Sequence, residues 1–173
     1  MRAVTVVLLS LSLLLMACGP DNGGAGGDEK QQADDLEAAR ARVLDDVTPV
    51  LSDLGARLPA QLRFSSGKYN ACKNDFSGAT AVTYAVNGRL DLSGAGPVSL
   101  DAVRAAFTDA GFEVEDEDDG ITVAATKGDT SATVSTLEGE PALLFAARDD
   151  GCYEVGGDRA RAYSVDKDPI TLG

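Results

Sequence analysis

The sequence predicts an α+β fold: an N-terminal amphipathic helix, then a strand, a second helix and a four-stranded antiparallel meander, with one disulfide. Three observations lead there. Apolar residues recur at three- and four-residue steps between Asp28 and Leu58. The stretch Ala79 to Leu92 alternates with a period of two and is followed by a capped helical segment. After Gly111, four strand-like runs are separated by turn chemistry about every ten residues, the spacing of a meander.

Within the first helix the stripe is Leu36, Val43, Val47, Val50, Leu51, Leu54 and Leu58, with Asp34, Asp35, Glu37, Arg40, Arg42 and Asp46 between. Pro49 interrupts it, so either the helix kinks there or Thr48 caps a second short helix with Pro49 at its first position. The stripe is expected to pack on the domain that follows. In the alternating stretch Val82, Tyr84 and Val86 fall on one side and Ala81, Thr83 and Ala85 on the other. Asn87-Gly88 within it reads as a tight hairpin turn or as a bulge in one long strand.

Ser99 to Ala110 is the cleanest helix, with Ser99 as N-cap, Asp101 in the first turn, and Leu100, Val103, Ala106, Phe107 and Ala110 on one face. Gly111 is placed to take the left-handed residue at its end, and Phe112 to fold back on Phe107. The meander runs are Phe112 to Glu115, Ile121 to Thr126, Ser131 to Leu137 and Ala142 to Ala147. Leu143, Leu144 and Phe145 are apolar on both faces, which marks the last run as the most buried. Tyr153 to Gly173 reads as a tail with room for a short strand near Ala160 to Val165.

Met1 and Arg2 precede an apolar run of about 13 residues, the proportions of a signal peptide and short for a spanning helix. Leu15-Met16-Ala17-Cys18 resembles the lipobox of bacterial lipoproteins. The resemblance implies cleavage before Cys18, a diacylglycerol on its thiol, and a chain held by lipid on the extracytoplasmic face of the cell membrane. An ordinary cleaved signal peptide is the competing reading. Gly19 to Gly27 holds nothing that nucleates a core, and coil of that composition spans roughly 15 to 18 Å root-mean-square. The expected division is therefore signal peptide 1–17, lipidated tether 18–27, helix 28–58, α+β domain 59–157 and tail 158–173.

With the signal removed about 150 residues remain, one domain's worth. The chain has 15 basic and 28 acidic residues, a net charge of −13, and loss of Arg2 makes the mature form one unit more acidic. That argues against nucleic acid and against electrostatic docking on anionic lipid. With Cys18 taken by lipid, Cys72 and Cys152 remain on the exported side, where one pairing is open to them. Closing a loop of about 80 residues contributes roughly 4 to 4.5 kcal/mol in the chain-entropy account. A metal pair or a reactive thiol is the alternative, but two isolated thiols without histidine make a poor zinc site, and neither lies in a C-x-x-C. Cys72 precedes the first expected strand and Cys152 follows the last, at one edge of the expected sheet.

The strand–helix–four-strand order resembles the cystatin-type layout, and Cys72 to Cys152 resembles small secreted lipoproteins of high-GC Gram-positive bacteria. Neither resemblance implies an activity.

The chain has no histidine. That removes Ser-His-Asp and Cys-His sites and His-ligated metals. No G-x-S-x-G, phosphate-binding loop or dinucleotide fingerprint occurs. The acidic run Glu113 to Gly120 fails as an EF-hand: in the register set by Gly120, position one is Glu115 and position twelve is Thr126. A loose Ca²⁺ site or a solvated hairpin tip are the remaining readings. Arg57, Arg63, Lys68 and Lys73, with Phe64 and Tyr69 between, form a basic stretch that reads as a helix–sheet linker or a contact for an acidic partner.

The expectation is a non-enzymatic binding module of the cell envelope, anchored to the membrane through Cys18 and taking an envelope or secreted protein as partner, with no cofactor, metal or nucleic acid. The alternatives are a carboxylate-dependent enzyme or Ca²⁺-binding module, and an inhibitor of secreted hydrolases.

Overall fold

A computed structural model describes residues 26–93, 100–115, 120–165 and 167–169. The expected signal peptide, Cys18, most of the expected tether, Ser99 (expected as an N-cap) and the acidic residues Asp116 to Asp119 lie outside them. The described residues are α+β, with three helices, one antiparallel sheet and one disulfide. In order the elements are α1 (Gly26–Arg57), β1 (Ala60–Asp75), β2 (Gly78–Leu92), α2 (Leu100–Asp109), β3 (Glu113–Glu115), β4 (Thr122–Lys127), β5 (Thr130–Thr136), β6 (Ala142–Asp149), α3 (Gly157–Tyr163) and β7 (Lys167–Pro169). The seven strands lie in the order β3-β4-β5-β6-β2-β1-β7.

The expected order, with one strand before the central helix, is not the observed one, and the cystatin-type layout goes with it. A complete hairpin, β1–β2, precedes α2, and a helix and a strand follow the meander strands. The residues read as a basic linker form β1, which pairs with β2 from Ala60↔Leu92 to Asp75↔Gly78. Its sequence hides it because only Gly67 and Tyr69 are buried, and an extra residue at Arg63 breaks the alternation. Asn87-Gly88 is neither turn nor bulge: it lies mid-strand in β2, opposite Ser66 and Ser65 on one side and Ala146 and Phe145 on the other. The expected tail and its short strand give way to α3, which buries Ala160, and to β7.

Helix α1 begins inside the stretch read as tether and continues through Pro49. Pro49 and Asp45, whose carbonyl loses its helical N–H partner, are both exposed, so the proline sits on the solvent side of the helix and not against the core. Leu36, Ala39, Val43, Val47, Val50, Leu51 and Leu54 are buried against the sheet. The sheet answers with Val82, Tyr84, Val86 and Leu90 of β2, Leu143 and Phe145 of β6, Val134 of β5 and Val123 of β4. At α2, Gly111 has φ 83°, and its N–H and that of Phe112 donate to Thr108 and Phe107 carbonyls. Phe112 then packs on Phe107 with ring centroids 5.3 Å apart.

Candidate functional site

Three places on the molecule gather polar side chains. The most deeply built joins α1 to the sheet. The Asp149 carboxylate, at the end of β6, is wholly buried, and Arg42 of α1 reaches it at 2.5 Å. The Tyr153 hydroxyl and the Gly151 N–H each donate to Asp149 Oδ1 at 2.8 Å. Gly151 is required here, because a Cβ would stand 2.5 Å from the Tyr153 hydroxyl and 2.7 Å from Asp149 Oδ1. One turn along α1, Asp46 accepts from buried Thr130 and from Lys127, both at 2.9 Å. Lys127 also donates to the Ala110 carbonyl at 3.0 Å, so it links α1, β4 and the C-terminal end of α2.

Electrostatics assigns this cluster a structural job. Hydrogen bonding to Asp149 raises the Arg42 pKa above its ordinary value, against desolvation. Burial first, and then the bond to Asp149, pushes Tyr153 up to about 12, which keeps it a neutral donor. The Asp149 side chain has no exposed surface and accepts from Arg42, Tyr153 and the Gly151 N–H, the surroundings of an anchor inside the fold. The cluster clamps helix to sheet.

The second place is the pole where α1 begins. A cavity of about 660 Å³ there is lined by Asp28, Glu29, Gln32, Thr80, Cys152, Glu154 and Gly156. The Cys72–Cys152 disulfide forms its side, with Cα atoms 5.9 Å apart. Cys72 is the extra residue of a bulge, since Ala71 faces Val82 and Lys73 faces Ala81. The bulge lets its side chain meet the segment after β6, where Tyr153 bridges to Val82 through paired backbone bonds of 2.9 and 3.0 Å. The cross-link therefore ties β1 to the segment after β6 across the intervening β2. Glu154 pairs with Lys73, and its N–H donates to Gln32 of α1.

The third place is the face of the central sheet opposite α1. A trough of about 340 Å³ is lined there by Lys68 and Asn70 of β1, Ala85 and Asn87 of β2, Ser131 and Thr133 of β5, and Ala146 and Arg148 of β6. The register sets this: Ala85 stands between Lys68 and Arg148, and Ala146 between Asn87 and Thr133. Small side chains make the floor, and amides and hydroxyls make the walls. Sequence reasoning could not find it, because its β1 wall was hidden.

The basic stretch is not a patch. Arg57 pairs with Asp53 and Asp109, Arg63 lies 4.0 Å from Asp91, Lys73 pairs with Glu154, and Lys68 enters the trough. Of the acidic run, Glu113 and Glu115 are exposed on β3, and no group of three metal-ligating side chains occurs among the described residues. No helix among those residues is long and apolar enough to cross a membrane. Comparison with protein families, with curated proteins and with solved structures finds no match.

Proposed function

We propose that this chain is an extracytoplasmic lipoprotein, held on the cell membrane by a diacylglycerol on Cys18, whose folded part is a non-enzymatic binding module. The partner is an envelope or secreted protein that seats on the trough face of the sheet. The observation that carries the reading is the composition of that face. In a chain of net charge −13, Lys68 and Arg148 stand over a floor of Ala85 and Ala146, flanked by hydrogen-bonding Asn70, Asn87, Ser131 and Thr133. Arg148 lies 3.6 Å from Asp150 of its own chain, so the surface fits a partner segment that brings a carboxylate to Lys68 and polar groups to the walls.

Cross-linking on intact cells followed by pull-down of the anchored protein tests it. The wild type is expected to retain a partner that Ala146→Arg loses, with the folded state unchanged by thermal melting. Equal recovery by both proteins overturns the assignment of the face. Cys18→Ser is expected to release the protein or leave an unprocessed precursor. A Cys18→Ser protein that fractionates with membranes and incorporates labelled lipid overturns the anchor.

A further inference from the structure

The tip of the β1–β2 hairpin is exposed from Ala71 to Ser77, and Phe76 at its end is fully exposed. The tip is nevertheless held firmly. The disulfide at Cys72 fixes its base, and Lys73 pairs with Glu154. Asp75 Oδ1 accepts from the Ser77 N–H at 2.7 Å and its hydroxyl at 2.6 Å, while Arg161 donates to the Ser77 carbonyl at 3.3 Å. An aromatic ring is thus presented to solvent on an ordered support, with little entropy left to lose on docking.

Where the tip points follows from the chain path. The Ala60 N–H donates to the Leu58 carbonyl, and the Tyr69 hydroxyl donates to Glu37 at 2.9 Å, so β1 climbs back along α1. From the level of Tyr69 and Glu37, five ladder steps past the bulge at Cys72 and one turn residue rise about 20 Å to Phe76, and eleven helix residues rise about 17 Å to Gly26. The aromatic tip therefore stands roughly 3 Å beyond the first residue of α1. Eight residue steps separate Gly26 from Cys18, at most about 28 Å of chain.

We infer that Phe76 docks into the headgroup–acyl boundary of the bilayer that holds the lipid of Cys18, standing the domain on its hairpin tip. The inference rests on the lipoprotein reading above. One aromatic side chain binds a bilayer weakly by itself, but the lipid anchor holds it beside the surface at high effective concentration. At the tip Lys73 and Arg161 are paired with Glu154 and Asp158, and the remaining carboxylate, Asp75, accepts from the Ser77 N–H and hydroxyl. Docking at this end leaves the trough on the flank of the standing domain, open to a partner.

The chain has no tryptophan, so Phe76→Trp introduces a single reporter at a position without buried contacts. The full-length mature variant, extracted from membranes, is reconstituted in vesicles of phosphatidylcholine and phosphatidylglycerol with bromine on the acyl chains near the headgroup. The protein is expected to float with the vesicles, and the indole to shift to the blue and lose on the order of half its emission to the brominated lipid. A protein that floats while its indole is quenched by aqueous iodide and not by bromine overturns the docking and leaves the anchor standing. A protein that does not float overturns both. A photo-cross-linking residue at position 76 that labels a protein in cells, and not lipid, replaces the bilayer with a protein pocket as the occupant.

Discussion

Arg42 Nη2 lies 2.5 Å from Asp149 Oδ2, joining the middle of α1 to the end of β6 across 107 residues of sequence. The two ends of this pair differ in exposure: the arginine side chain keeps more than a third of its surface in water, whereas the aspartate has none. Removing the arginine leaves a buried carboxylate short of its charge partner, and removing the aspartate lets the arginine turn to solvent or to Asp129, 3.7 Å away. Arg42→Met is therefore expected to cost about 3 kcal/mol and Asp149→Asn about 1 to 2 kcal/mol. Urea unfolding of the two variants checks the order, which reverses if the pair is governed by the arginine's needs.

Alkaline pH should loosen the same joint. Tyr153 ionises near 10.0 in an unfolded chain and is pushed up to about 12 in the folded one, so folding holds its proton more tightly. Its stabilising contribution is complete below pH 10 and is lost as pH rises through 12. Tyr69 shifts in the same direction, by burial first and then its bond to Glu37. Tyr153→Phe is expected to flatten part of the stability loss over this window, and Tyr69→Phe with it to flatten more. An unchanged alkaline slope in the double variant contradicts the assignment.

Gly67 has no room for a side chain. A Cβ there would stand 1.8 Å from the Tyr84 hydroxyl oxygen and 2.6 Å from the ring carbon that bears it. Gly67→Ala is expected to destabilise by about 1 to 3 kcal/mol, and Tyr84→Leu in the same chain to recover part of the loss. Strict additivity of the two substitutions would place the strain elsewhere.

Reduction should matter more than the exposure of Cys72 suggests. The cross-link spans a sequence separation of 80 residues, and its loss is expected to cost about 4 kcal/mol. A non-reducing tryptic map should show the two cysteine peptides joined, and Cys72→Ser with Cys152→Ser should lower the melting midpoint by the equivalent amount.

The α+β class and the cysteine pair were legible because each rests on a signal local to the chain: period, turn chemistry and parity. The first strand was not. In β1 the ladder hydrogen bonds to β2 do the holding, and a backbone ladder leaves no apolar signature when only Gly67 and Tyr69 face the core. Gly67 even argues against a strand by composition, yet it is there because Tyr84 lies on it. Missing β1 also hid the trough, whose wall it makes, and the pole, whose tip it carries. The clamp of Arg42 and Asp149 was invisible for another reason: their charges look like any surface pair until the topology sets them opposite each other.

The cross-link over β2 also decides how the molecule bears tension. Pulled between the start of α1 and the C-terminal segment, the chain cannot lengthen between Cys72 and Cys152, so about 280 Å of contour is kept out of reach of the load. What remains free to extend is α1, the lower part of β1 and the segment beyond Cys152. Under such a load α1 is the element expected to peel first, while the strands from β2 to β6 stay folded behind a covalent lock.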